Sequence, residues 1–269
     1  MLAAERRDAI VAELVTSPAV RVTRLAQQFD VSEMTIRRDI DALEAAGVLT
    51  RVHGGATRPQ TLSAAEPGFS ANTGRQREAK KQIALAASRL ITPGMTISLT
   101  GGTTVYQLAA LLPDLGPLTV LTNSLPAAEL LNGFAAQDRG RNLSVFLTGG
   151  ERSPSEALVG PLATATVGLL NVDLCFMGVH GVDATAGITT PNLAEAETNR
   201  AFARQSARLV VLADSTKIGV VALAQIVDLT ELECLVTAGD SVGPDHLTQL
   251  ELHTTVLTPD TLTSKETHP

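Results

Sequence analysis

Three groupings of side chains in this sequence could do chemistry. Arg37 and Arg38 sit side by side in the stretch SEMTIRRDI, Ser32–Ile40. A guanidinium donates two parallel hydrogen bonds, which suits a phosphate or the O6/N7 edge of guanine. The second grouping is the turn Gly101-Gly102-Thr103-Thr104. Glycines let the backbone approach an anion, and threonine hydroxyls with free helix N–H groups can donate to it. A plain tight turn would use the same residues. The lysine of a nucleotide-binding P-loop is missing. The third is Asp214 and Lys217 in LADSTKIG, where Lys217 would bring the positive charge a phosphate needs, although a single loop lysine is commonly solvated.

Other reactive residues are scattered. His246, His253 and His268 have no partner at metal-ligand spacing, and no metal or cofactor is expected. Cys175 and Cys234 lie in apolar runs and read as buried, reduced thiols. His180, in GVHGVD, reads equally as a hydrogen-bonded loop histidine or a ligand contact.

Periodicity supplies the elements that must position these groups. Residues 4–16 form a helix with Ile10, Val11, Leu14 and Val15 on one face, broken near Pro18. VTRLAQQF is a second helix with Leu25, Ala26 and Phe29 inward. Ser32 caps a third, Glu33 lies in its first turn, and Gly47 ends it. At 100° per residue, Ile36, Ile40 and Leu43 share the core face. Arg38 and Met34 lie opposite, Arg37 and Thr35 flank them, and Asp41 and Ala45 share that outer side. VLTRVHGGAT is a strand hairpin turning at Gly54-Gly55 and carrying Arg51 and His53. Two short helices joined by a tight turn and followed by a hairpin make a winged helix-turn-helix, whose second helix enters the major groove.

Residues 58–77 mix Pro, Gly, Ser and charge without period, as a linker does. From 78 to 260 helices alternate with short, wholly apolar runs at 96–99, 118–122, 143–148, 174–179, 209–214, 234–237 and 254–258. Strands apolar on both faces predict an α/β domain: a mostly parallel sheet flanked by helices. Its ligand edge is the carboxyl ends of the strands, where TGGTT, TNS, TGG, GVHGVD and ADSTKIG all fall. A disordered tail is expected over 261–269.

The 269 residues carry a net charge of −7 and are 44% hydrophobic, enough for a sizeable core. Residues 1–58 balance eight basic against eight acidic groups, so the later residues hold all of the excess. No apolar run approaches the ~20 residues needed to cross a bilayer. The start has no signal-peptide zoning, so a cytoplasmic location and no membrane partner are expected.

The run VSEMTIRRDIDALEAAGVLTRVHGGA resembles the DNA-binding domain of the DeoR family of bacterial transcriptional regulators. TGGTT, TNS, TGG, GVHGVD, GITTPN, EAE and ADSTKIG resemble, in order, its effector domain, so the likeness runs from about 5 to 258. It implies a ribose-5-phosphate isomerase-like fold and a repressor controlled by a phosphorylated sugar or polyol. By the match, Ser32, Thr35, Arg37 and Arg38 contact operator DNA, and Arg51 and His53 touch its backbone. Gly101, Gly102, Thr103 and Thr104 seat the phosphate with Lys217, and Lys81 matches a basic position facing the anion. Asn123, Asp183, Glu195 and Asp214 are matched to sugar hydroxyls. Thr100 stands where many relatives carry aspartate, which puts sugar-end specificity in question.

Asp39 is expected to pair with an arginine, and Asp41 and Glu44 to weaken a single head on DNA, which calls for a homodimer or higher oligomer. Two rivals follow: a sugar-phosphate isomerase fused to a DNA-binding head, using Asp183, Glu195, Asp214 and Lys217 as acids and bases, and a constitutive DNA-binding protein with a vestigial pocket.

Overall fold

The computed structural model describes residues 3–16, 19–45, 49–52, 54–57, 68–136, 139–140, 142–239 and 244–259. Gly47, His53, residues 58–67 of the expected 58–77 linker and the tail lie outside these, while Phe69–Thr73 of that stretch are helical instead of irregular. By internal contacts the chain divides into two compact units, centred on Met1–Thr61 and Leu62–Val242.

The first unit is α1 (Ala3–Thr16), β1 (Ala19–Arg21), α2 (Val22–Phe29), α3 (Glu33–Ala45), β2 (Thr50–Val52) and β3 (Gly55–Thr57). Ile10 and Leu14 of α1, Leu25 and Ala26 of α2, and Ile36, Ile40 and Leu43 of α3 form its core, following the helical period. Ser32 Oγ accepts from the Thr35 N–H at 3.2 Å and caps α3. The short strand β1 was not expected from the sequence. It pairs antiparallel with β3, giving the order β1-β3-β2. Gly55 permits this, because a Cβ there would lie 2.0 Å from the Val20 carbonyl oxygen.

The second unit begins with α4 (Phe69–Thr73) and α5 (Arg77–Ser88), then β4 (Thr96–Leu99), α6 (Thr103–Ala109), β5 (Leu118–Thr122), α7 (Leu125–Ala136) and β6 (Leu143–Leu147). There follow β7 (Glu151–Arg152), β8 (Leu158–Val159), α8 (Pro161–Val167), β9 (Leu174–Gly178), β10 (Gly181–Asp183), β11 (Gly187–Thr190) and α9 (Leu193–Arg204). The last elements are β12 (Leu209–Asp214), β13 (Ala224–Val227), β14 (Cys234–Ala238), α10 (Pro244–Glu251) and β15 (Val256–Leu257).

The seven apolar runs become one all-parallel sheet in the order β15-β14-β12-β9-β4-β5-β6. Alternate residues feed two cores. Ile97, Leu99, Phe176 and Val210 meet Ile83 of α5 and Val105 of α6. Cys175, Met177 and Val211 meet Phe202 of α9 and Ile188 of β11. Both faces of the inner strands are covered, which is why those runs lack a polar side, whereas the edge strand β6 leaves Ser144, Phe146 and Leu147 exposed. Two small antiparallel sheets, β7-β8 and β10-β11-β13, are additions to the expected plan.

Strand order reverses between β4 and β9: β5 and β6 extend one way, and β12, β14 and β15 the other. A crevice is expected where such neighbours diverge. Both cysteines are free and buried, and desolvation pushes the Cys175 thiol up to about 11 and Cys234 up to about 12. Among the described residues no group of His, Cys, Asp and Glu could hold a metal, and no helix is long and apolar enough to cross a membrane.

Candidate nucleic-acid interface and candidate ligand pocket

On α3 the core face and the outer face separate cleanly. Asp39 is 2% exposed and accepts from Arg6 Nε at 2.6 Å and Arg7 Nε at 3.0 Å. This takes the carboxylate out of the outer face, as its position near the core arc requires. Met34 and Arg38 are exposed on that face, and Arg38 makes no ion pair among the described residues. Arg37 donates to Glu33 at 3.1 Å, one helical turn back. The Thr35 and Ser32 hydroxyls lie 2.9 Å apart at the helix start.

Asp41 and Glu44, expected to weaken a single head on DNA, are both engaged by Arg51. Asp41 accepts from the Arg51 guanidinium at 2.6 Å, and Glu44 accepts from the Arg51 N–H at 3.0 Å. The two acids fasten the hairpin to α3. Arg51 is therefore held by a carboxylate instead of standing free, but the pair is half exposed and exchanges cheaply. A groove between α3 and the hairpin is lined by Arg37, Glu44, Arg51 and Val52.

In the second unit a cavity of about 120 Å³ opens at the carboxyl ends of β4, β5, β9 and β12, on the β4/β9 switch point. Gly101, Gly102, Thr103 and Thr104 line it after β4, Asn123 after β5, His180 after β9, and Asp214 and Lys217 after β12. Gly102 has φ 127°, a conformation open only to glycine, and turns the chain into α6. Asn192 caps α9 by accepting from the Ala194 and Glu195 N–H groups, and that helix presents Glu195 and, one turn on, Asn199 to the cavity. Glu195 accepts from Ser153 at 2.8 Å, from Ser155, and from Thr190 at 3.3 Å. Thr100 is fully buried and accepts from the Gly178 N–H at 3.0 Å, stapling the ends of β4 and β9 together.

Two expected residues are elsewhere. Lys81 points to solvent and pairs with Glu78 at 3.8 Å. Its neighbour Lys80 lines the cavity instead, at 4% exposure. The signal was present: Lys80, Ile83, Ala84 and Ala87 fall at i, i+3, i+4 and i+7, so Lys80 shares the buried stripe of α5. Asp183 accepts from the N–H groups of Thr185 and Ala186 at 2.8 and 2.9 Å and caps the β10–β11 turn; it does not line the cavity. TGG at 148–150 does not reach it either, whereas Ser155 and Ala157 of the β7–β8 hairpin do. Sequence reasoning missed Asn72, Arg75 and Lys80, all preceding β4.

Three cations, Arg75, Lys80 and Lys217, border the cavity against two carboxylates, Glu195 and Asp214. Burial lowers the Lys80 and Lys217 pKa values from the ordinary lysine value; Asp214 opposes this, while Arg75 depresses both and Lys217 also depresses Lys80. His180 is lowered by burial first and then by Lys217, against Glu195. Asp214 is 2% exposed, accepts from the Thr216 N–H at 3.1 Å and lies 4.0 Å from Lys80 Nζ.

A helix-turn-helix head with an outward arginine pair, joined to a switch-point cavity of cations, defines a DNA-binding regulator with a sensing domain. Residues 6–61 match the DeoR-like helix-turn-helix domain and residues 75–239 the DeoR C terminal sensor domain. The chain belongs to the DeoR family of transcriptional regulators. It is 34% identical to the HTH-type transcriptional regulator GlpR of Haloferax volcanii, over 89% of this chain and 91% of that one. It is 32% identical to the lactose phosphotransferase system repressor of Streptococcus mutans, over 94% and 98%. A solved ribose 5-phosphate isomerase A from Methanocaldococcus jannaschii aligns over 52% of this chain and 54% of its own at 19% identity and a TM-score of 0.36, too slight a likeness to bear on function.

Proposed function

We propose that this regulator is a repressor of sugar or polyol genes, released or engaged by a phosphorylated sugar bound in the second unit. The observation that carries it is the meeting of Arg75, Lys80 and Lys217 beside the Gly101–Thr104 turn at the strand switch point. Behind the larger effect of burial, Arg75 depresses the pKa of both lysines and Lys217 that of Lys80, a repulsion that an incoming dianion relieves. The phosphate lies against Gly102, Thr103, Thr104 and Lys217, and the sugar hydroxyls face Asn123, Glu195 and Asp214. Asn123 Oδ1 is buried and lacks a protein donor, so a ligand hydroxyl suits it. On DNA, Arg38 and Arg37 read the groove with Ser32 and Thr35 at the helix start, and Arg51 and His53 follow the backbone.

The effector acts by shifting a population between two states, by no more than its difference in affinity for them. The protein works in the cytoplasm as a homo-oligomer assembled through the second unit. The outer side of α8 and the turn that follows it support this: Pro161, Leu162, Ala165, Leu169 and Leu170 are all exposed, and no charge occurs from 157 to 172. The oligomer is expected in sedimentation at micromolar concentration, and Leu169→Glu should dissociate it.

The isomerase reading has less support, because Glu195 is held by three hydroxyls and Asp214 is engaged by Thr216 and Lys80. The deciding experiment is thermal shift against a panel of phosphosugars, with turnover of aldose and ketose phosphates run beside it. A ligand at 100 times its Kd adds about 2.7 kcal/mol. Lys217→Ala should remove the shift while leaving DNA binding intact. No shift from any phosphosugar leaves the vestigial-pocket reading standing, and turnover leaves the enzyme.

A further inference from the structure

Residues 68–76 follow directly on the sequence that joins the two units, and they form part of the cavity wall through Asn72 and Arg75. Little apolar burial holds them: from Ser70 to Arg77 every residue but Asn72 is exposed. Their attachments are few and specific. The Phe69 N–H donates to the Pro154 carbonyl at 3.1 Å, and the Phe69 ring meets Tyr106 edge-on at 5.7 Å. The buried Lys80 ammonium donates to the Asn72 and Arg75 carbonyls, each at 2.7 Å. A cation on the Asn72 carbonyl in the last turn of α4, and on that of Arg75 just beyond it, caps the end of this short helix. Gln76, with φ 49°, turns the chain from this cap into α5.

An ammonium has three N–H donors. Two of those on Lys80 are used by the segment, and the nearest carboxylate, Asp214, is 4.0 Å away, beyond hydrogen-bond length. The remaining donor, the Arg75 guanidinium and Lys217 all border the same small cavity.

We infer that Arg75 and Lys80 are ligand-binding residues, and that an anion in the cavity pins residues 68–76 through them, making this segment a strap whose order reports occupancy to the joining sequence. The inference rests on the reading of the cavity as a phosphate site and adds which residues carry the signal. An anion that accepts from Arg75 ties the strap's side chain to the floor that Lys80 already ties by its backbone. Ligand and strap order then favour each other, which couples binding to conformation without a rearrangement of the sheet.

The test is hydrogen exchange of the full-length protein with inorganic phosphate as the probe, alongside calorimetric titration. Saturating phosphate should slow exchange over 69–76 several-fold more than over the exposed residues 251–253, which lie outside the cavity. Arg75→Ala, at an exposed position, should weaken phosphate roughly tenfold or more and abolish the protection. Arg77→Ala, exposed and outside the cavity, serves as control and should change neither. Lys80→Met should speed exchange over 69–76 even without phosphate. Binding without protection, or equal losses from Arg75→Ala and Arg77→Ala, overturns the strap alone. No phosphate binding by the unmodified protein overturns the phosphate reading and the strap with it.

Discussion

The two units handle positive charge in opposite ways. In the head, Arg37, Arg38 and Arg51 stand at the surface, and their partners Glu33 and Asp41 are half exposed. In the sensor, Lys80 is buried, Lys217 is half buried, and their nearest acid, Asp214, is fully enclosed. The difference follows from the partner each unit serves. A duplex is a long polyanion that any exposed cation can meet, with counterion release supplying the affinity. Surface pairs worth ~0–1 kcal/mol are easily traded for phosphate contacts. A single small dianion releases few counterions. It must be met by charges already stripped of water, whose mutual repulsion it relieves. Desolvated lysines with lowered pKa values are the cost of that readiness.

The head has one exception, and it predicts the largest effect. Asp39 lies enclosed between Arg6 and Arg7, and Arg6 is itself 7% exposed. Asp39→Ala breaks this buried pair by removing the carboxylate that both guanidiniums share, which typically costs about 3–5 kcal/mol. Hydrogen exchange should show protection collapsing over 3–57 while 77–239 stays unchanged. Unchanged protection in the head would mean that this pair, too, belongs with the cheap surface ones.

Next in size is Arg38→Ala. The side chain is exposed and outside the core, so fold and oligomer should survive. Affinity for a DNA fragment enriched by the protein itself should fall by about 1–3 kcal/mol if the guanidinium reads a base, roughly five- to 150-fold. Fluorescence anisotropy measures this. Full affinity in the variant would remove the outer face of α3 from the groove.

Asp41→Asn sharpens the contrast further. It frees Arg51 from its 2.6 Å carboxylate without touching the core. DNA should bind a few-fold tighter, and the salt dependence should steepen by up to ~1 phosphate contact. Arg51→Ala should make that slope shallower by about the same amount. If Asp41→Asn weakens binding instead, the pair's service is to hold the hairpin in place, and Arg51 is structural.

How much of this was legible in the sequence depends on the range over which each feature is determined. The seven sheet strands stood out because their runs are largely apolar, a local signature that burial on both faces enforces in the central strands. The α3 faces were equally local, set by the period of Ile36, Ile40 and Leu43. What escaped depends on distant partners. β1 exists because Val20 meets Ala56, and β13 because Val227 meets Ile188 across 39 positions. Lys80 and Lys81 are chemically alike, and the pattern of a family pointed to the exposed one. The i, i+3, i+4, i+7 stripe of α5 separates them without any family knowledge. Asp183 misled for another reason: a carboxylate after a strand serves a turn as readily as a ligand, and two backbone N–H groups had the stronger claim.

The smallest effect tests whether the sensor's inward charges act as a set. His180 borders the cavity, and its pKa is lowered by burial and then by Lys217, against Glu195. Its unfolded-state value is near 6.5. Below that pH the unfolded chain takes up a proton that the folded protein resists. Stability from this group is therefore full above about pH 6.5 and lost as pH falls toward the lower folded value. The Tm of the unmodified protein should drop more between pH 7.5 and 5.5 than that of His180→Gln, a small difference resolved by paired scans. Sulfate, dianionic throughout that range, offsets Lys217 when it enters the cavity and so eases protonation of His180. The extra drop should then shrink in sulfate and stay in chloride of equal ionic strength. If both salts act alike, His180 answers only to its own burial, and the cations of the cavity titrate independently of one another.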